Sequence, residues 1–382
     1  MLRLILFLLV FCSLYGLLNF YAFLKVKKAL APGVWPSTVL LLFMAIMVAS
    51  PILTRTASRL GVEPIASVFA YLGYTWMGAL FLFVSAFFLL DLYHLLVSLA
   101  GWVTSASLSP LILPTRQAFF VILVLCVLAT TYSYFEALRI RADTLVIKTP
   151  KLPREVGRLR IAQISDVHLG IIVQRERLKR ILDKVKEAGP DILVSTGDLL
   201  DGQIADISGL GGMLRGVNPR FGKFAVTGNH EFYVGLEHSL EFTKEAGFTV
   251  LRGEAVEVEG GIILAGVDDA ALSRRTPRET VSEEAVLSEI PGNKFKILLK
   301  HRPVVRKDSV GRFDLQLSGH THNGQLLPFK VFSRLFYPYN SGLTDLGKGS
   351  LIYVNRGSGT WGPPMRLLAP PEVTVIDLVR GD

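Results

Sequence analysis

Hydrophobic and polar positions divide this chain in two. Residues 4–24 contain no Asp, Glu, Lys or Arg, and neither do residues 29–54, 64–90 or 117–135. Each stretch is close to or above the roughly 20 apolar residues that a membrane-crossing helix needs. The pattern predicts four spanning helices at about 4–24, 34–54, 66–90 and 117–137, the third extending to about residue 99. Arg3 before an apolar run is a signal-peptide feature. The length of the run, the lack of a clear small-residue cleavage site and the later spans favour a retained helix. Four uncharged runs within residues 1–138 also argue against a buried helical core.

From residue 140 the runs shorten and end in turns that carry acids, amides and imidazoles. Residues 158–165 lead to Asp166-Val167-His168, and residues 191–196 to Gly197-Asp198. Residues 223–227 lead to Gly228-Asn229-His230-Glu231, and residues 295–300 to His301-Arg302-Pro303. Residues 314–318 lead to Gly319-His320-Thr321-His322. Short apolar runs of this kind suit buried strands. Residues 175–188 between the first two are charged and apolar at helical spacing, which makes a strand–helix–strand unit and an α/β arrangement. In such folds ligands sit beyond the carboxyl ends of strands, so the five turns are expected to converge. Five of the seven histidines lie in them. His238 falls in an expected helix at 236–246 and is read as surface. Residues 139–157, with Pro150, Pro153 and a short strand at 144–148, read as a linker.

Charge and cysteine content narrow the chemistry. Residues 1–138 hold seven Lys/Arg and three Asp/Glu, so the net charge of +9 divides into +4 there and +5 beyond. Neither part is basic enough for nucleic acid, and no nucleic-acid partner is expected. The two cysteines, Cys12 and Cys126, lie in apolar runs, which excludes a disulfide framework and a cysteine-based zinc site. The turns supply two carboxylates, an amide and several imidazoles without sulfur. That set suits Mn, Fe or Zn better than Ca. Asp91 and His94 stand near the end of the third span, within reach of the interface, and are given no role. The Lys/Arg count around the spans is seven against four in favour of a cytoplasmic carboxyl-terminal domain, although Lys25-Val26-Lys27-Lys28 pulls the other way.

Taken in order, Asp-x-His, Gly-Asp, Gly-Asn-His-Glu, a lone His after a strand and Gly-His-Thr-His resemble the calcineurin-like metallophosphoesterases over roughly residues 155–380. The tail from Tyr353 to Pro364, ending in Pro371-Glu372-Val373-Thr374, resembles the membrane-associated branch of that family. Some of that branch are small membrane phosphodiesterases, and others resemble enzymes that cleave UDP-diacylglucosamine. Two departures stand out: Asn323 follows Gly-His-Thr-His where glycine is usual, and Glu231 replaces the commoner aspartate. Neither position is a ligand in the family. The resemblance implies two divalent metal ions, with Mn favoured and Fe, Zn or Mg as alternatives. It assigns Asp166, His168, Asp198 and His322 to one ion and Asp198, Asn229, His301 and His320 to the other. Asp198 would bridge. A shared, acidified water would then attack phosphorus. His230 is outside the implied ligand set and is expected to protonate the leaving group or stabilise phosphoryl charge.

The expected architecture is a four-helix transmembrane unit (1–138), a linker (139–157) and an α/β/β/α sandwich (158–382). The expected activity is metal-dependent hydrolysis of a phosphodiester, pyrophosphate or phosphomonoester. The expected substrate is lipid-linked and the expected partner surface is the lipid bilayer. A tethered phosphatase for soluble nucleotides and a metal-binding scaffold are the alternatives. Residues 326–342, rich in Phe, Tyr and Leu with Lys330 and Arg334, suit a bilayer interface. A core strand or helix fits the same segment.

Overall fold

The computed structural model describes residues 2–201, 209–271 and 281–381. The chain divides into two compact units, Met1–Tyr134 with Pro363–Met365, and Phe135–Gly362 with Arg366–Asp382.

The first unit contains four long apolar helices, α1 (Leu2–Leu30), α2 (Val34–Arg59), α3 (Glu63–Thr104) and α4 (Thr115–Ala137). All four are long and apolar enough to cross a membrane. Their outward faces are apolar, with Leu17, Leu42, Phe88 and Leu128 exposed. Water would penalise such a surface and lipid would not. Inside, Tyr15, Phe23, Met44 and Leu80 pack together. Gly73 of α3 meets Ser50 of α2, where an added Cβ would stand 1.9 Å from Ser50 Oγ. Small residues of this kind let membrane helices approach closely.

Two expectations shift here. α1 runs past Lys25 to Leu30, so the Lys25–Lys28 cluster is helical and not a loop. Lys25 Nζ lies 2.5 Å from Asp91 Oδ1, and the Tyr21 hydroxyl donates to Asp91 Oδ2 at 2.6 Å. Asp91 therefore has structural partners in Lys25 and Tyr21. Lys25 leaves the loop count that set the expected orientation.

The second unit rests on two six-stranded sheets. One holds β1 (Arg141–Thr149), β2 (Arg158–Ile164), β3 (Ile192–Ser195), β4 (Lys223–Ala225), β5 (Thr249–Val250) and β12 (Glu372–Arg380), ordered β1-β12-β2-β3-β4-β5. The other holds β6 (Glu254–Val258), β7 (Ile262–Gly266), β8 (Phe295–Leu299), β9 (Leu315–Ser318), β10 (Gly342–Gly347) and β11 (Ser350–Val354), ordered β10-β11-β9-β8-β7-β6. Strands β2 to β5 are parallel, as are β7, β8, β9 and β11. In the segment expected as a linker, the short strand expected at 144–148 is the longer β1, which pairs in parallel with β12 over its whole length.

The central strands are buried on both faces, which is why they read as continuous apolar runs. Leu159, Ile161, Ile192 and Val194 of the first sheet join Leu264, Ile297, Leu299, Leu315 and Leu317 of the second in one core. Helix α5 (Arg175–Ala188) buries Leu178, Ile181, Leu182 and Val185, spaced on one helical face, and packs on β1 and β12. Helix α9 (Glu283–Ser288) adds Val286 and Leu287 to a second cluster with Ile263, Ala265 and Leu298. This is the α/β/β/α sandwich that the resemblance implies. The parallel strands β2, β3 and β4 in one sheet, and β8 and β9 in the other, deliver the five turns.

Candidate metal centre

Three of the five turns bend sharply as their strands end. Asp166, His168, Asp198, His320 and His322 have φ of 49°, 53°, 52°, 72° and 49°, the left-handed region that costs a side chain energy. Strain of this kind clusters where function fixes the geometry. Asn323, at φ 49°, is a residue type that tolerates this region, so its departure from glycine is sterically mild.

The turns meet in two adjoining groups. In the first, His168 Nε2 is 3.1 Å from His322 Nε2, and His322 Nε2 is 3.4 Å from Asp166 Oδ1. In the second, His301 Nε2 is 3.1 Å from His320 Nδ1 and 3.2 Å from Asp198 Oδ2. The same Asp198 oxygen is 3.9 Å from His168 Nε2, so it stands between the groups. Asn229 opens helix α7 (Asn229–Val234) and its Oδ1 accepts from Arg302 Nη2 at 3.3 Å. His230 Nδ1 is 3.3 Å from Asp201 Oδ1. The His230 ring stands edge-on to His168 with centroids 4.6 Å apart. His168, Asp198 and His230 could also converge on one point.

The donor set fits cations. Asp166 and Asp198 are fully buried, and among the described residues neither has a Lys or Arg ion-pair partner. Buried carboxylates need compensating charge. Burial pushes His168 down to about 3, His320 down to about 2 and His322 well below the usual range. These imidazoles are neutral, which is the ligating form. Burial also disfavours charge on His230 and His301, but the surrounding acids together outweigh it, Asp198 with Asp201 and Glu231 for His230 and Asp198 with Asp166 and Asp269 for His301, and raise them to about 9 and about 10. A metal-free site therefore substitutes protons for cations around Asp198.

Four features around the site were not legible as functional. Glu231 is buried, and its carboxylate accepts from the backbone N–H of Gly228 at 2.7 Å, Leu199 at 2.8 Å, Asp198 at 3.0 Å and Leu200 at 3.3 Å. One side chain thus locks the two turns that carry Asp198 and Asn229. Asp201, three residues after Asp198, faces His230. Arg366 is fully buried and donates to His322 Nδ1 at 3.0 Å, to the His322 carbonyl at 3.1 Å and to the Gly357 carbonyl at 3.3 Å. Asp268 accepts from Thr227 Oγ1 at 2.7 Å, while Asp269 holds Arg302 at 2.7 Å. His238 is exposed, as expected, on helix α8 (Leu236–Glu245), which packs on the short helix α6 (Leu210–Arg215).

Residues 159–324 match the model of the calcineurin-like phosphoesterase family. A metallophosphoesterase of Aquifex aeolicus, itself uncharacterized, is 42% identical over 256 residues, 66% of this chain and 97% of that protein. The chain belongs to the calcineurin-like phosphoesterase family. A Danio rerio protein named as a transmembrane protein with a metallophosphoesterase domain is 33% identical over 274 residues, 69% of this chain and 63% of that protein. An uncharacterized metallophosphoesterase of Bacillus subtilis is 34% identical over 259 residues, 64% of this chain and 87% of that protein. The second unit is a metallophosphoesterase domain, and the protein is a metal-dependent phosphohydrolase. The fold implies a binuclear divalent centre, for which the His/Asp groups provide the donors.

Proposed function

We propose that this metallophosphoesterase hydrolyses the phosphoester or pyrophosphate bond of a lipid-linked substrate at the membrane surface, with Mn as its metal and the catalytic domain on the cytoplasmic side. When bound, the two ions supply Lewis acidity and acidify water at the site. Asp166, His168 and His322 would hold one, Asn229, His301 and His320 the other, and Asp198 both. His230 moves a proton to the leaving oxygen, oriented by Asp201. Glu231 keeps the Asp198 and Asn229 turns at a fixed separation.

The observation that carries the lipid reading is helix α10 (Phe329–Phe336), seven residues after His322. Phe332, Leu335 and Phe336 are 51%, 74% and 79% exposed, so this apolar segment is not core. Lys330 and Arg334 lie on the same helix. The next residue, Tyr337, places its hydroxyl 2.9 Å from His320 Nε2. An exposed apolar helix with basic residues suits the headgroup region, and this one adjoins the catalytic centre.

The test is to incubate purified protein and Mn with a membrane lipid extract and to follow phospholipids by mass spectrometry. Loss of one phosphorylated lipid with gain of its hydrolysis product supports the reading. Hydrolysis of nucleotides or aryl phosphoesters with no lipid altered would favour the tethered phosphatase for soluble substrates.

A further inference from the structure

Arg302 is a strong cation beside the metal centre that the proposed chemistry leaves without work. It follows His301, and its side chain is only 23% exposed. Nε donates to Asp269 Oδ2 at 2.7 Å, Nη1 to the Tyr337 hydroxyl at 3.2 Å and Nη2 to Asn229 Oδ1 at 3.3 Å. Asp269 is itself fixed, since its other oxygen accepts from the Ala271 N–H at 2.8 Å and its side chain is 1% exposed. The Arg302 guanidinium carries a positive charge, as arginine always does in proteins. A guanidinium has five N–H donors. Three are used, and two have no partner among the described residues.

The neighbours of this group say where it stands. Asn229 is a proposed metal donor, and Tyr337 also touches His320, another one. A purely structural arginine would be satisfied by Asp269. This one is held rigidly beside the centre with spare donors. We propose that Arg302 binds non-bridging oxygens of the substrate's phosphoryl group, with Asp269 and Tyr337 holding the guanidinium in place. The inference rests on the hydrolase reading above and names the anion-recognising side chain of that same site. A planar fork suits two phosphoryl oxygens in a way that the single ammonium of lysine does not. Because Asp269 already balances its charge, Arg302 acts through hydrogen-bond geometry more than through net charge, so a lysine should substitute poorly.

The test uses the full chain in detergent, loaded with Mn, in three forms: unaltered, Arg302→Lys and Arg302→Ala. Three quantities are read: bound Mn per chain, the dissociation constant for inorganic phosphate by calorimetry, and kcat/KM on a small aryl phosphodiester. Both variants should keep two Mn, bind phosphate at least about tenfold more weakly and lose about 10²–10³-fold in kcat/KM, the scale for one removed transition-state donor. Added guanidinium should restore part of the Arg302→Ala activity. Unchanged phosphate affinity would overturn the assignment. Loss of Mn would also overturn it, since Arg302 would then be supporting Asn229 and His301. Failure of the hydrolase reading looks different: the unaltered Mn-loaded protein would neither bind phosphate nor turn over.

Discussion

Gly228 lies against Asp198 so closely that an added Cβ would stand 2.2 Å from Asp198 Oδ1 and 2.6 Å from its backbone nitrogen. The glycine is therefore there for close approach, beyond any role in turning the chain. It brings the turn after β4 onto the carboxylate between the two histidine groups, and the next N–H but one, that of His230, donates to Asp198 Oδ1 at 2.8 Å. Gly228→Ala should push the turns apart. The expected outcome is fewer than two bound metals and a turnover loss of at least about 10²-fold, the scale of an ångström-size displacement. Circular dichroism should show the sheets intact. Asp198→Asn should behave alike, because two cations left without their bridging anion repel each other. Two ions and full activity in Asp198→Asn would remove Asp198 from the bridge, and the same result in Gly228→Ala would show that the close approach at Gly228 is not required.

His230 separates binding from chemistry. His230→Asn should retain both metals and lose about 10²–10⁴-fold in turnover, the usual contribution of a general acid. The loss should shrink with a nitrophenol leaving group, which departs without a proton. Burial lowers the affinity of His230 for its proton, while Asp198 and Asp201 raise it. Asp201→Asn removes one of those supports, so the alkaline limb of the pH–rate profile should move to lower pH. Metal loss in the His230 variant would make this residue a ligand, as its proximity to His168 and Asp198 permits.

The chemistry-bearing turns were legible because each is local: a short apolar strand, then the functional residues within a few positions. What joins the turns was not. Glu231 binds the turn after β3, and Arg302 is held by Asp269 and Tyr337, so these roles depend on distances across the fold. Pro150, Pro153 and the charges around them make β1 look like a short strand in a linker, because its partner β12 lies at the far end of the chain. The membrane runs were legible from their lack of charge, but α1 outruns its uncharged stretch because Lys25 finds Asp91. Composition left residues 326–342 divided between core and interface, and only the exposure of α10 decides against core.

Proton competition should govern metal uptake. In the metal-free protein burial disfavours charge on His301, but Asp198, Asp166 and Asp269 together outweigh it and hold it protonated up to about 10, above its ordinary 6.5. A folded-state value that is raised adds stability that is complete below about 6.5 and is lost as pH climbs towards 10. The metal-free protein should therefore melt at lower temperature as pH rises through that window. A cation needs His301 neutral, so its affinity should change in the opposite direction. Mn titrations between pH 6.5 and 8.5 should show affinity rising by up to about tenfold per pH unit for one displaced proton. Proton release should be measurable in buffers of different ionisation enthalpy. An affinity flat across this range would mean that His301 carries no proton that the metal must displace.

Helix α10 offers the test of the substrate. Phe332, Leu335 and Phe336 are exposed, so replacing all three with Ser removes little packing, and exposed substitutions usually change stability by no more than about 0.5 kcal/mol each. The melting temperature should hold, and the bond between Tyr337 and His320 should keep the centre intact. If α10 seats the domain on lipid, hydrolysis of a lipid phosphoester in liposomes should fall at least about tenfold as buried apolar area is lost. Activity on a small aryl phosphodiester should survive. Lys330 and Arg334 add attraction to anionic headgroups, so high salt should weaken the lipid reaction and spare the aryl one. Equal loss on both substrates would mean that α10 shapes the centre through Tyr337 and not through the bilayer. No loss on either would leave the membrane helices as a tether alone, and a soluble phosphate compound would then be the better substrate class.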